Sequence, residues 1–425
     1  MMQKEHFSTE RDYLLQTSEQ ITGNEFLTQN QTKMASKIYF NLLLIGSLFC
    51  LAACKQTEPQ SVNKDLPNDK KATSETVALY QNLKNLSGKG ILFGQQDAVL
   101  YGVGRNHPDS GYCDIKDVCG AYPAVYGWDI GHIMESTNVD SVRFTKMKRM
   151  IKEAYSRGGI ITLSWHEKNP AGTGNVNDLT PVAKRILPGG DLNQHFKELL
   201  NAAGNFFTEL KDEKGNPVPI IFRPFHEHNG DWFWWGTKSF SEQEYIDVFR
   251  YTENYLRDTL NIHQLLYAIS PDRSRMNPNQ FEHDMLYAYP GDDYIDIMGF
   301  DNYWDVGAVE IYDKTVSRQK QDSFFLAGLH ALVKLAMQKN KIPALTETGC
   351  GTMKEINWYT SRILNPLKSD SIASRIAWLL VWRNFSTSHF YAPYPGHPSA
   401  SDFISFKNDS LIMFEDERPV MYKLK

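Results

Sequence analysis

Two glutamates, Glu227 and Glu347, each follow a run of apolar residues and are flanked by side chains able to tune a carboxyl group. Arg223 and His226 stand beside the first, Thr346 and Thr348 beside the second. If both face one cavity, mutual repulsion and burial push their pKa values apart, so that one keeps a proton while the other stays ionised. Such a pair suits the cleavage of a glycosidic bond, and a separation of about 5–5.5 Å corresponds to retention of configuration through a covalent intermediate. Most of the 50 acidic residues in this chain must be surface ion-pair partners. Glu227 departs from that background because the segment continues His228-Asn229-Gly230-Asp231 into Trp232-Phe233-Trp234-Trp235. An exposed loop does not carry such a cluster, so one or two of these rings are expected to line a cleft and the others to pack beneath it.

Other chemistries find less support. His226-Glu227-His228 superficially looks like a metal-ligand cluster, but the HExxH spacing of a helical zinc site is missing and there is no Cys/His quartet. No metal and no cofactor are expected. A G-x-S-x-G nucleophile elbow is absent from the sequence. The 425 residues carry 45 basic and 50 acidic side chains, a net charge of −5 that lacks the basic surplus a nucleic-acid binder uses against phosphates. At 41% hydrophobic and 22% charged, the composition is that of a globular chain and excludes disorder, collagen and coiled coil.

Positioning these residues requires a scaffold with several strand ends facing one place. Short β-rich runs at 91–96, 124–131, 159–166, 219–227, 264–270, 296–304, 343–349 and 376–384 alternate with amphipathic helical stretches such as 141–157 and 241–260. The second of these helices opens with Ser241 and Glu244, a capping box. Eight strand–helix units over about 350 residues predict an α/β fold, a single-domain (β/α)8 TIM barrel whose site lies at the C-terminal ends of the strands. Glu227 and Glu347 then follow strands four and seven. A doubly wound open sheet is the structural competitor, but its Gly-rich turn is missing after the first strand, which ends Phe93-Gly94-Gln95-Gln96-Asp97.

The segment 223–236 (RPFHEHNGDWFWWG), together with GWDIGH (127–132), SWH (164–166), FDNYW (300–304), TETG (346–349) and VWRN (381–384), closely resembles glycoside hydrolase family 26, which is dominated by β-mannanases. The resemblance runs from about residue 74 to 425 and implies a (β/α)8 barrel with Glu227 as acid/base and Glu347 as nucleophile. It further implies that His166, Arg223, His226, Trp232, Tyr303, Trp382 and Arg383 contact substrate. Arg223 would hold the nucleophile ionised, Tyr303 would hydrogen-bond it, and Trp382 would offer a flat face to the sugar. For His226 the residues leave two roles open, orienting Glu227 or touching sugar hydroxyls. The expected activity is that of a retaining endo-β-1,4-mannanase acting on mannan or mannooligosaccharides. The alternatives are an exo-acting mannobiose-releasing enzyme, a β-glucanase or β-xylanase of the same fold, or a glycan-binding lipoprotein without activity.

The N-terminal part reads differently. Residues 38–53 form an apolar run of sixteen, short of the roughly twenty that span a bilayer, with Lys33 and Lys37 before it and Leu51-Ala52-Ala53-Cys54 at its end. This predicts a lipoprotein signal peptide over 34–53, a lipid on Cys54, and an upstream over-extension at 1–33 with Met34 as initiator. A polar tether over 54–73 follows, then the catalytic domain over 74–425. Export permits disulfides, and Cys113 with Cys119 is the favoured pair, with two free thiols as the alternative. Lys55, in place of an acidic residue, favours the outer membrane. The enzyme is expected to be monomeric, to meet a membrane only through the lipid on Cys54, and to have no nucleic-acid partner.

Overall fold

The computed structural model describes residues 66–104, 112–172 and 174–424. The expected signal peptide, over-extension and lipid site at Cys54 lie outside the described residues. Eight parallel strands form the body: β1 (Ile91–Gln96), β2 (Val125–Asp129), β3 (Ile160–Ser164), β4 (Ile220–Arg223), β5 (Leu265–Ile269), β6 (Ile297–Asn302), β7 (Ile342–Thr348) and β8 (Trp378–Val381). Each pairs with the next, and β1 pairs with both β2 and β8, so the sheet closes into a (β/α)8 barrel. Closure leaves no free edge along the ring. At the start of β1, where β2 has not yet begun, the short strand β9 (Ile412–Met413) pairs parallel to Ile91 and Leu92.

All eight strands fall within the runs read from the sequence, apart from Ile342 one residue ahead of its run, and most are shorter. The difference that bears on the site is β4, which ends at Arg223, so that Glu227 stands in the following turn and not on the strand. Strand residues are buried on both sides, because one face looks into the barrel and the other under the helices. Leu92, Ile160, Ile221, Leu266, Ile297 and Ile342 fill the interior near the strand starts, together with Leu79, Tyr80 and Leu83 of the helix Ser74–Asn85 and Met421 of the C-terminal tail. Helix and tail thus close the barrel at its lower end. They are tied together where Asn82 Nδ2 donates to the Met421 carbonyl at 2.9 Å.

Two expectations need correction. The tether was expected to reach residue 73, but the packed chain begins earlier: Asn68 N donates to Asp296 Oδ1 at 2.8 Å, Asp69 pairs with His263 at 2.7 Å, and Thr73 caps the first helix. The Cys113–Cys119 disulfide does not form, and both thiols are free. Cys113 is the N-cap of the helix Asp114–Cys119, and six residues of helix separate the two by about 9 Å, beyond the roughly 7 Å a disulfide tolerates. Burial pushes the two thiols up to about 12 and about 11, leaving them unreactive.

On the outer side of β1, Phe93 stacks on Phe414 at 4.8 Å and meets Tyr359, Phe403 and Phe406 edge-on. This cluster fastens the C-terminal elements to the first strand. Phe93→Ala is expected to cost about 3–5 kcal/mol, read as a lower denaturation midpoint in urea. A loss below 1 kcal/mol would show that the cluster does not hold the two ends of the chain together.

Candidate active site

The site is organised by a cation inside the barrel. Arg223, the last residue of β4, is almost fully buried, and its guanidinium is shared between two strands: Nη1 donates to Asp301 Oδ2 on β6 at 2.9 Å, and Nη2 to Glu347 Oε1 on β7. Ser270 Oγ accepts from Arg223 Nη1 at 2.8 Å and donates to Asp301 Oδ2 at 3.0 Å. The second oxygen of Glu347 accepts from the Tyr303 hydroxyl at 2.8 Å. Both Glu347 oxygens therefore accept hydrogen bonds.

A bulge puts Glu347 there. Phe300 pairs with Leu345 but Asp301 pairs with Glu347, so Thr346 is the extra residue, and the register against β8 slips over the same stretch. In a regular strand Thr346 and Glu347 would point to opposite faces. The bulge brings both to the interior, where Thr346 Oγ1 donates to Asp301 Oδ1 at 2.6 Å while Glu347 meets Arg223.

Glu227 arrives from a strained turn. Phe225 and Glu227 have φ values of 54° and 51°, the left-handed region that costs a side-chain-bearing residue about 1–2 kcal/mol. The turn is held by hydrogen bonds from Glu227 N to the Ser270 carbonyl at 2.7 Å and from Trp235 Nε1 to the His226 carbonyl at 2.7 Å. The aromatic run divides as expected. Phe233, Trp234 and Trp235 are buried, whereas half-buried Trp232 donates from Nε1 to Glu227 Oε2 at 2.8 Å.

Carboxylate oxygens of Glu227, Asp301 and Glu347 all lie within 4.8 Å of one another. Three acids around one guanidinium cannot all be ionised cheaply. Burial, followed by the charges of Asp272, Glu347 and Asp301, pushes Glu227 well above the usual carboxylate range, with the Trp232 hydrogen bond acting the other way. Burial likewise raises Asp301, against the pull of Arg223. Burial and neighbouring charge thus favour the protonated form of Glu227, while Glu347 is held by two donors. The close approach of the Glu227 and Glu347 oxygens lets both carboxyl groups reach one bond from opposite sides.

The remaining expected residues surround this centre. His166 follows β3; its Nδ1 meets Asp129 Oδ2 at 2.7 Å, and Asp129 also accepts from Ser164 Oγ and Gly131 N, each at 2.6 Å. Burial would lower the His166 pKa, but the Asp129 carboxylate overcomes this and raises it, while Asp129 is held at about 2. Within 4.4 Å, ring to ring, lies His226, which burial and the charge of Arg223 keep neutral. His226 and His228 do not converge: His228 turns away to stack on Tyr245 at 4.3 Å. Half-buried Trp382 lies beside His166, ring centroids 6.3 Å apart. Arg383 stands further along the same side and pairs with Asp140 at 2.6 Å and with the Tyr101 hydroxyl at 2.9 Å. The sequence reading missed Asp129, Asp140, Asp272 and Asp301. Asp129 and Asp301 lie inside the quoted motifs GWDIGH and FDNYW and were open to the same reasoning about strand ends, whereas nothing local marks Asp140 or Asp272.

A (β/α)8 barrel carrying one carboxyl group in the turn after strand four and a second, held by a cation, at the end of strand seven defines the class of two-carboxylate glycoside hydrolases. Residues 68–357 match the model of glycosyl hydrolase family 26, and the chain belongs to that family. It is 34% identical over 371 residues to a mannan endo-1,4-beta-mannosidase of Bifidobacterium adolescentis, an alignment covering 82% of this chain and 36% of that protein. The chain therefore spans about a third of that relative's length. A mannan endo-1,4-beta-mannosidase of Bacillus subtilis is 28% identical, with 69% of this chain and 81% of that protein covered. Among solved structures, a family-26 β-mannanase of Bacteroides ovatus superposes with a TM-score of 0.75 at 36% identity, covering 83% of this chain and 98% of that one.

The Trp232 contact sets a pH test. Its N–H stabilises the ionised form of Glu227, so Trp232→Phe should raise the Glu227 pKa further. Activity that needs the proton is lost as pH rises through that pKa, so the alkaline limb of kcat/KM should move up by roughly one pH unit, the worth of one hydrogen bond to a charged group. A limb that stays in place or moves down would show that this contact does not tune the acid.

Proposed function

We propose that the chain is a retaining endo-β-1,4-mannanase that hydrolyses mannan-type polysaccharides by double displacement. The observation that carries this reading is the close approach of Glu227 and Glu347 in unlike surroundings, a guanidinium and a phenol donating to Glu347 and a single indole N–H to Glu227, and the names of the family-26 relatives support the substrate. In the first step the Glu227 proton passes to the glycosidic oxygen as Glu347 attacks the anomeric carbon. The C–O bond to the leaving sugar breaks and a glycosyl ester forms on Glu347. In the second step Glu227, now a carboxylate, takes a proton from water, whose oxygen attacks the anomeric carbon and releases Glu347. Arg223 and Tyr303 hold Glu347 in line, and Trp382 presents its ring to the sugar undergoing cleavage.

Glu347→Ala should lower turnover on mannan by several orders of magnitude while leaving binding measurable, because the covalent route is lost but the cleft remains. Glu227→Ala should be far less damaging on an aryl mannobioside with a good leaving group than on mannan, since that leaving group needs little protonation. Equal losses of Glu227→Ala on both substrates would remove the acid/base assignment.

We further propose that the enzyme is exported, lipid-anchored through Cys54 and held at the outer membrane. The short apolar run ending in Leu51-Ala52-Ala53-Cys54 supports this. Cys54→Ala should move the enzyme out of the membrane fraction or block signal cleavage while specific activity stays constant, and labelled fatty acid should enter only the wild type. Membrane association that survives the substitution would rule out the anchor.

A further inference from the structure

The loop after β6 carries two side chains that hydrophobic burial does not explain. Ile311 and Tyr312 are 68% and 75% exposed, high for large apolar residues in a folded chain. Tyr312 is not loose. Its ring stacks on Trp304, centroids 5.3 Å apart and planes 19° from parallel, and Trp304 directly follows Tyr303, the residue bonded to Glu347. An exposed aromatic face is thus joined through two neighbouring residues to the nucleophile.

The segment beneath it is built to be rigid. Arg362, 3% exposed, donates from Nη2 to Glu310 at 2.8 Å and also binds Glu355 and Gln321, so the residue just before Ile311 is pinned by a buried guanidinium. Gln321 adds a second donor to Glu310 at 3.2 Å. Closer to Tyr303, Asp305 is fixed by Arg273 Nε at 2.6 Å and Asn302 Nδ2 at 3.1 Å, and the Val306 carbonyl accepts from Trp358 Nε1 at 2.8 Å. A buried guanidinium that ties down a short surface helix while its aromatic and aliphatic tips point outward pre-orders a surface, and pre-ordering lowers the entropy cost of binding.

Position selects the occupant. The charged groups suited to fixed recognition of hydroxyls, His166 with Asp129 and Arg383 with Asp140, lie over β2, β3 and β8. Trp304 and Tyr312 lie on the β6 side. Because Trp304 follows Tyr303, which bonds Glu347, the loop that carries the stack starts at the nucleophile and leaves it on the side opposite His166 and Arg383. Sugar rings offer apolar faces to aromatic rings, so neither charge nor a specific hydroxyl pattern is needed there.

We propose that Trp304 and Tyr312, with Ile311 beside them, form a stacking platform for a distal sugar of the β-linked polysaccharide, on the side of the mouth away from His166 and Arg383. The proposal rests on the mannanase reading. The platform contributes to long chains and not to short ones, so it sets the dependence of kcat/KM on chain length.

The test compares kcat/KM on polymeric mannan and on mannotetraose for the wild type, Tyr312→Ala, Tyr312→Phe and Val420→Ala. Val420 is exposed in the C-terminal tail next to Met421, at the closed end of the barrel, and serves as the surface control. Tyr312→Ala should lower the polymer-to-tetramer ratio by about three- to tenfold, the worth of one aromatic stacking contact. Tyr312→Phe should restore the ratio, because the face and not the hydroxyl binds, and Val420→Ala should match the wild type. An active wild type whose ratio is unchanged in Tyr312→Ala, or whose two activities fall together, overturns the platform alone. A wild type inactive on both substrates overturns the mannanase reading and the platform with it.

Discussion

One guanidinium divided between two carboxylates organises this molecule. Arg223 reaches Asp301 with one nitrogen and Glu347 with the other, inside a closed barrel where an unpaired charge is costly. Removing it would leave acids facing each other without a counter-ion, a loss of about 3–5 kcal/mol when one partner of a buried pair is taken away. Its charge also divides the labour between the glutamates. Glu347 takes the guanidinium and the Tyr303 hydroxyl, whereas Glu227 has an indole N–H and neighbouring negative charge, and burial with those charges favours its protonated form.

The surrounding structure serves to keep that arrangement in place. Left-handed backbone at Phe225 and Glu227 stores strain of the kind found at functional sites. It is offset by burying Phe233, Trp234 and Trp235, whose indoles also find acceptors in the His226 and Glu167 carbonyls. The tryptophan-rich loop is thus mostly a clamp, with Trp232 alone bonded to the acid. On the adjacent flank Asp129 fixes the ring of His166 and favours its protonated form, as a buried partner can.

The barrel separates stability from chemistry along its axis. Aliphatic side chains, the first helix and the C-terminal tail close the end where the strands begin. Polar and aromatic residues crowd the end where they finish, including buried acids that no stability argument would place there. Such a division is expected of a parallel barrel, whose loops after the strands vary while its lower layers stay packed.

Much of this was determined by the sequence alone. Alternating apolar runs and helical stretches predicted eight strands and a barrel, and the residues ending strands four and seven marked Glu227 and Glu347, because burial periodicity is a local property written in consecutive residues. The motifs pointed to Arg223, Tyr303 and His166 as their neighbours. Tertiary structure decided what local periodicity does not contain. Period two puts Thr346 and Glu347 on opposite faces, and the bulge that brings both inward exists only in pairing with β6 and β8. Helix formation over Asp114–Cys119 carried two nearby cysteines apart. Asp140 and Asp272 gained their roles from strands and loops distant in sequence. Protonation followed the same rule, because a carboxyl group responds to every charge and every layer of protein around it, and those surroundings come into being only when the barrel closes.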